Sequence, residues 1–479
     1  MVLHRARTPR QDRARNWLHQ IRDAERHLLG RSMRLTDCGG DHPPSGWGPT
    51  SRHGLDAAPP FAEHMLTLTL IMFLSVVKIT SAPKSGYCHH AAIVYSIDNS
   101  SSPPSNHFNT LPAIPLHTLS GQLLGTGMET LKWEYDVVAT EVFRRLQSVG
   151  EDHEDSYSRL QRLHASDPVL EQFWRATRTV PAWVDWDQLR RGQTVCKRYA
   201  VPMLIGFAFQ GFAGEIAAAL GPAEVLVRTG GLSERNVLAR VEATLRWLLE
   251  VTQSAESLQE DGSGSVSTIR VRLRHAAVRR RLLSVPRSHP AFLDTALHGV
   301  PINTYDSVLT LTFFCCNPIW KQLPRLGIHL SAREAEDLIA LFRFLAHLLG
   351  LPTEYFSSAA RAKKNMEDIK TARVTPSESS RKITRDFICA FADRAPYNVS
   401  RGFLHAGIRA MNPAYVSDAL GVGPVGWTPY IAFLGLRWSI KLAILAQDAG
   451  FPLPSASDMI QVREVLERDD CKESQLCGS

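Results

Sequence analysis

His275 carries the densest chemistry in this sequence. It stands in the run Val271-Arg-Leu-Arg-His275-Ala-Ala-Val278-Arg-Arg-Arg-Leu282. Val271, His275, Val278 and Leu282 are spaced four, three and four apart, one apolar stripe of a helix expected over about 266–283. An imidazole on such a stripe faces inward. It is then either a core histidine satisfied by hydrogen bonds or a metal ligand. Arg270, Arg272, Arg274, Arg279 and Arg280 edge the stripe. Neutral imidazole on an apolar wall is a ligand for haem iron, and the two haem propionates need cationic partners.

A second constellation precedes it. Arg240 and Thr244 lie four apart on a helix expected over about 234–251, so they share a face, and Trp247 follows one turn on. By itself an arginine there reads as a surface cation. Upstream, Tyr199–Leu220 is apolar, rich in Gly and Ala, and carries Phe207, Phe209 and Phe212. Its small residues allow a neighbouring helix or a flat ligand to approach closely.

The elements that would position these groups are helical. Apolar residues recur every three to four positions from about Leu131 onward. Pro181–Arg191 reads as a turn leading into a helix, Gly230–Gly231 as a break, and Asp261-Gly-Ser-Gly-Ser as a linker. Pro301-Ile-Asn303 opens an apolar helix through Phe314. Ser331 and Glu334 form a capping box for a helix that ends at Gly350 and Pro352, with His347 as a structural residue near its end. The fold class is all-α.

Composition narrows the function. The chain has 479 residues, 44% hydrophobic and 21% charged, ordinary for a globular protein. Its net charge of +7 is scattered, with short runs at Arg279–Arg281 and Lys363–Lys364 and no basic stripe interleaved with aromatics, so nucleic acid is not an expected partner. The eight cysteines form no CxxC pair, and Cys315–Cys316 sits in an apolar run as core. The glycosylation sequons at Asn99 and Asn398 matter only if those loops reach a secretory lumen.

Residues 1–120 read as a low-order region of Arg, His, Pro, Gly and Ser, 121–450 as the catalytic domain and 451–479 as a polar tail. Met65–Val77 is apolar but short of the roughly 20 residues a spanning helix needs, which suggests a short anchor or interfacial segment. Tyr430–Ala446 is apolar but interrupted by Arg437 and Lys441, which favours a core or interfacial helix over a spanning one.

Several of these runs together resemble a known family. Arg228-Thr-Gly-Gly-Leu-Ser, Arg240-Val-Glu-Ala-Thr244, Val271-Arg-Leu-Arg-His275-Ala-Ala-Val-Arg279, Pro301-Ile-Asn303 and Leu326-Gly-Ile through Pro352 are similar to the latex clearing protein (rubber oxygenase) family, which also holds an ER-bound oxygenase of the mycophenolic acid pathway. The resemblance covers roughly residues 130–450. It implies a globin-like helical domain binding haem b, with His275 as the proximal metal ligand and Arg240 and Thr244 on the oxygen-binding side. Arg274 and Arg279 are then the expected partners of the cofactor. It also implies a catalytic glutamate upstream of Arg240, which by spacing is Glu224, with Glu215 as the alternative. Ala243 stands where rubber-cleaving members tend to carry a polar residue, so the resemblance does not extend to rubber itself as substrate.

The chemistry implied is insertion of both atoms of O2 across a C=C bond of an isoprenoid or other apolar chain, giving two carbonyl products. A membrane surface, with association to the endoplasmic reticulum, is the implied setting. Two other classes stay open on sequence grounds: a haem-free, membrane-associated lipid-binding or structural protein, and a different haem enzyme such as a peroxidase.

Overall fold

In a computed structural model, the described residues are 129–148, 154–230, 236–289, 292–371, 376–393 and 399–448. The low-order region, Met65–Val77 and the 451–479 tail lie outside them. Residues 79–445 form one unit; the other comprises 1–78 and 446–479, of which only the end of the last helix is described.

The described residues are helical throughout, as the periodicity requires. Three helices, α1 (Val137–Ser148), α2 (Ser156–Leu163) and α3 (Pro168–Arg178), enclose Val142, Leu146, Leu160 and Phe173. Asp155 and Asp167 cap α2 and α3 with their side chains. Asp185 starts α4 (Trp186–Arg198), the helix expected after the Pro181 turn. The chain continues through α5 (Ala200–Gly206), α6 (Leu220–Arg228), α7 (Val237–Val251), α8 (Ser263–Leu283) and α9 (Thr304–Asn317). Helix α10 (Ala332–Leu348) carries the Ser331–Glu334 capping box, and Gly350, at φ +71°, ends it as expected. Five more follow: α11 (Ala359–Thr371), α12 (Glu378–Phe391), α13 (Arg401–Met411), α14 (Ala414–Ala419) and α15 (Trp427–Asp448).

Helices α4 and α10 pack against each other at very short range. A Cβ on Gly192 would stand 2.4 Å from the backbone oxygen of Asp337, and beside it Arg191 donates two hydrogen bonds to the Asp337 carboxylate at 2.9 and 3.0 Å. Gly192→Val is therefore expected to lower stability by about 1–3 kcal/mol, the usual cost of overpacking, read as a lower midpoint of urea unfolding. An unchanged midpoint would mean that the two helices separate without cost.

The sequence reading needs one correction. Asp261-Gly-Ser-Gly-Ser is only partly a linker, because α8 already begins at Ser263. Gly264 belongs to that helix, where a Cβ would meet Val251 Cα at 2.9 Å, so the glycine permits α7 and α8 to touch. Within the apolar stretch Tyr199–Leu220 the helix changes type. It is α-helical only to Gly206 and then π-helical over Phe207–Ile216. Side-chain amides support the wider turns. Asn412 donates to Phe209 O at 2.9 Å, and Gln322, from a second π turn at Pro318–Gln322, donates to Gln210 Oε1 at 2.7 Å. Such π segments are rare and gather at functional sites.

Candidate active site

Helix α8 is apolar on two sides. Ile269, Leu273 and Ala276 pack into the α1–α3 core. The Val271–His275–Val278 stripe faces the other way, onto a cavity of about 520 Å3. That size lies within the roughly 300–1,000 Å3 of small-molecule and cofactor sites. The π segment contributes Phe212 and Ile216 to its wall, α6 contributes Val225 and Leu226, and α9 contributes Leu311 and Phe314. Of the apolar stretch Tyr199–Leu220, Phe212 and Ile216 thus reach this cavity.

His275 meets the cavity directly. Burial, followed by the like charge of Arg279, Arg240 and Arg274, pushes its pKa down to about 3, against a small opposing pull from Asp136. The ring is therefore neutral at physiological pH, with a lone pair available. Among the described residues neither ring nitrogen has a hydrogen-bond partner. The ring opens on the cavity, where a bound ligand could meet it.

Arg240 and Thr244 reach the same cavity from α7, beside Ala243 and Trp247. The Thr244 hydroxyl donates to Arg240 O at 3.0 Å, which leaves its oxygen as an acceptor. Trp247 is fixed by a 2.9 Å bond to Thr268 on α8 and by an edge contact with Phe314. Arg240 and the exposed Arg274 both line the cavity, and neither side chain has a hydrogen bond or ion pair among the described residues.

Three other arginines around the stripe, Arg270, Arg272 and Arg279, are engaged. Arg270 pairs with Asp155 at 3.0 Å and Arg272 with Asp136 at 2.6 Å. Arg279 lines the cavity, but it donates to the backbone oxygens of Pro301 and Ile302 at 3.2 and 2.6 Å and to Thr140 Oγ1 at 2.9 Å. Its burial lowers its pKa to about 10, so it stays charged. The structure shows it as a clamp on that turn, with Ile302 in the wall at φ +53°.

Neither expected glutamate is brought to the cavity. Glu224 is buried on α6 and pairs with Arg228 at 2.8 Å. Glu215 lines a smaller neighbouring cavity of about 130 Å3, held by Lys321 and by Asn317 at 2.8 Å. Three carboxyls line the large cavity, Glu134, Asp136 and Asp306; Asp136 is paired with Arg272, and Asp306 lines both cavities. It sits in the first turn of α9, accepts from Asn303 Nδ2 at 3.0 Å, and leaves no room for a Cβ on Gly221. Burial raises its pKa to about 7, opposed by the Asn303 bond and by Lys132. Sequence reasoning stopped at Asn303; the acid three residues on, inside an apolar helix, was the missed signal.

The lining would fit a flat cofactor held by one imidazole. Among the described residues no three His, Cys, Asp or Glu side chains gather as a metal cage. A neutral imidazole on a largely apolar wall with Arg240 and Arg274 nearby would fit haem and its propionates.

Residues 197–443 match the family described as ER-bound oxygenase mpaB/B'/rubber oxygenase, catalytic domain. The chain belongs to this family. Among curated proteins, this rubber-oxygenase-type chain is 26% identical over 193 residues to a rubber oxygenase of Streptomyces sp. (strain K30), covering 39% of this chain and 44% of that protein. The chain thus spans under half the length of that relative. Among solved structures it resembles latex clearing protein in its closed state, at a TM-score of 0.53 and 17% identity over 70% of this chain and 90% of the other. What those two share at that identity is the helical fold. The family match includes α7, α8 and α9, so Arg240, Thr244, His275 and Asp306 all fall within it.

Proposed function

We propose that residues 121–450 form a haem b-dependent oxygenase that cleaves a C=C bond of an isoprenoid or other apolar chain with O2. The observation that carries this reading is His275: a neutral imidazole facing a large cavity with apolar walls, beside Arg240 and Arg274, which among the described residues form no ion pair. The family membership supports the oxygenase class.

His275 is the residue that would hold the iron, and Arg274 and Arg240 are the cations available to the propionates or to bound oxygen. Haem supplies O2 binding and activation when it is bound. The remaining tasks fall to the chain. Phe212, Ile216, Leu311 and Phe314 exclude water and hold a greasy chain. The Arg240 guanidinium presents donors where charge develops on oxygen, while the Thr244 hydroxyl, its proton committed to Arg240 O, presents an acceptor. The Asp306 carboxylate takes a proton from the carbon next to the double bond, a task expected of Glu224. Overall one C=C bond and one O2 become two C=O groups, and no outside reductant is needed. Association with a membrane of the endoplasmic reticulum, where such substrates concentrate, belongs to the same proposal.

The test is product analysis with isotopically labelled O2 and a polyisoprenoid: each carbonyl product should carry one labelled oxygen at the moment of formation. Arg240→Ala should keep its haem and lose about 10²–10³-fold in kcat/KM, the scale of one removed charge-stabilising donor. Full activity together with a lower melting temperature would instead make Arg240 a structural cation.

A further inference from the structure

Helix α15 is apolar on two opposite sides, and only one of them is covered. Phe433, Leu436 and Ile440 are buried, and Phe433 packs against Phe209 and Phe403 at ring separations of 5.6 and 5.9 Å. On the opposite side Trp427, Ile431, Trp438, Leu442 and Leu445 follow each other at spacings of four, seven, four and three. That is one face of a helix. All five are exposed: Trp427 at 75%, Trp438 at 60% and Leu442 at 62%. Isolated exposed apolar residues are ordinary, but a continuous stripe of them marks a contact surface. At 1.5 Å per residue the stripe is roughly 27 Å long.

We propose that this stripe seats on the surface of a membrane with anionic headgroups. Three features single out lipid as the occupant. The stripe is straight and carries two tryptophans, with the exposed Tyr430 beside them; Trp and Tyr are the residues favoured at the membrane–water interface. From Trp427 to Gln447 the charged residues are Arg437 and Lys441 alone, with no acid among them. Both lie along one edge of the stripe, and the Lys441 ammonium is 5.4 Å from the Trp438 ring. Cations at the edge of an apolar face complement lipid phosphates. The helix is 22 residues long, enough to cross a bilayer, but its other face is committed to the protein's own core and Arg437 stands at its middle. It therefore lies in the plane of the surface. Phe209, beneath it, belongs to the π segment whose Phe212 and Ile216 line the large cavity, so the seated face is one layer from the candidate active site.

The experiment uses the full chain and vesicles of phosphatidylcholine, with or without about 30% phosphatidylserine, the negative surface that attracts basic residues. Sedimentation gives the bound fraction, and brominated lipid reports contact by quenching tryptophan emission. Trp438→Ser/Leu442→Ser should cut stripe-dependent quenching and lower binding by roughly tenfold, with unchanged thermal melting. The conservative Trp438→Phe/Leu442→Ile should keep its binding. Arg437→Gln/Lys441→Gln should lose roughly fivefold per cation on anionic vesicles. Loss of quenching with binding retained also supports the proposal, since another segment can hold the chain while the stripe touches lipid. Unchanged binding and quenching in the serine variant would overturn it. So would a lipid-independent dimer that this variant dissociates, which would assign the stripe to a second copy of the chain. None of these readings depends on haem or on turnover.

Discussion

His275→Ala is expected to remove most of the haem from the purified protein, while the parent shows a Soret band and close to one b-type haem per chain. The imidazole has no hydrogen-bond partner to lose among the described residues, and it borders an existing cavity, so the substitution should leave circular dichroism and melting nearly unchanged. Fold and cofactor are thereby read separately. Added imidazole should restore absorbance to the variant by entering the space vacated beside Val271 and Val278. Full haem occupancy in His275→Ala would overturn the ligand assignment. Absence of any Soret band from the parent after supply of haem would favour a haem-free protein that keeps only the fold.

Asp306→Asn should abolish most turnover with haem retained. Loss of a general base costs about 10²–10⁴-fold, and asparagine can still accept from Asn303 in the same place. The pH profile adds a second readout. With its pKa raised to about 7, Asp306 is protonated below neutrality, so kcat/KM should climb with pH through about 7 and lose that limb in Asp306→Asn. Stability carries the opposite sign. The folded carboxyl holds its proton up to about 7 whereas an unfolded one releases it near 3.8, so folded protein binds more protons across that window and its stability falls as pH rises through it. Glu224→Gln should leave turnover largely intact, because that carboxylate pairs with Arg228 and does not border the cavity. The reverse pattern, with Glu224→Gln inactive and Asp306→Asn active, would return the role to the glutamate.

What could be read from the sequence, and what could not, divides along physical lines. The Ser331–Glu334 box, the α7 face with Arg240 and Thr244 and the inward stripe of α8 are local periodicities, and each was visible. Helix α8 also packs Ile269, Leu273 and Ala276 to its other side, so its one visible stripe was only half of its buried surface. The π segment was invisible because its support comes from Gln322 and Asn412, more than a hundred residues away. Glu224 was placed by counting back from Arg240. Glu224 lies on α6, which ends at Arg228, and Arg240 on α7, which begins at Val237, and helical phase is not carried from one helix to the next. Arg279 looked like an anion partner because its hydrogen bonds go to backbone oxygens, and every sequence has those everywhere.

That arginine has a wider meaning for the cavity. A β-branched residue at positive φ, such as Ile302, costs of order 1–3 kcal/mol and persists only where its surroundings hold it. Here the holding group is a guanidinium grasping two successive backbone oxygens, braced in turn by Thr140 on the distant α1 helix and by the Tyr135 ring. Every one of these contacts is made within the polypeptide. The wall carrying Ile302 is thus preorganised: its shape is complete once the chain has folded, and an arriving ligand need not spend affinity on ordering it.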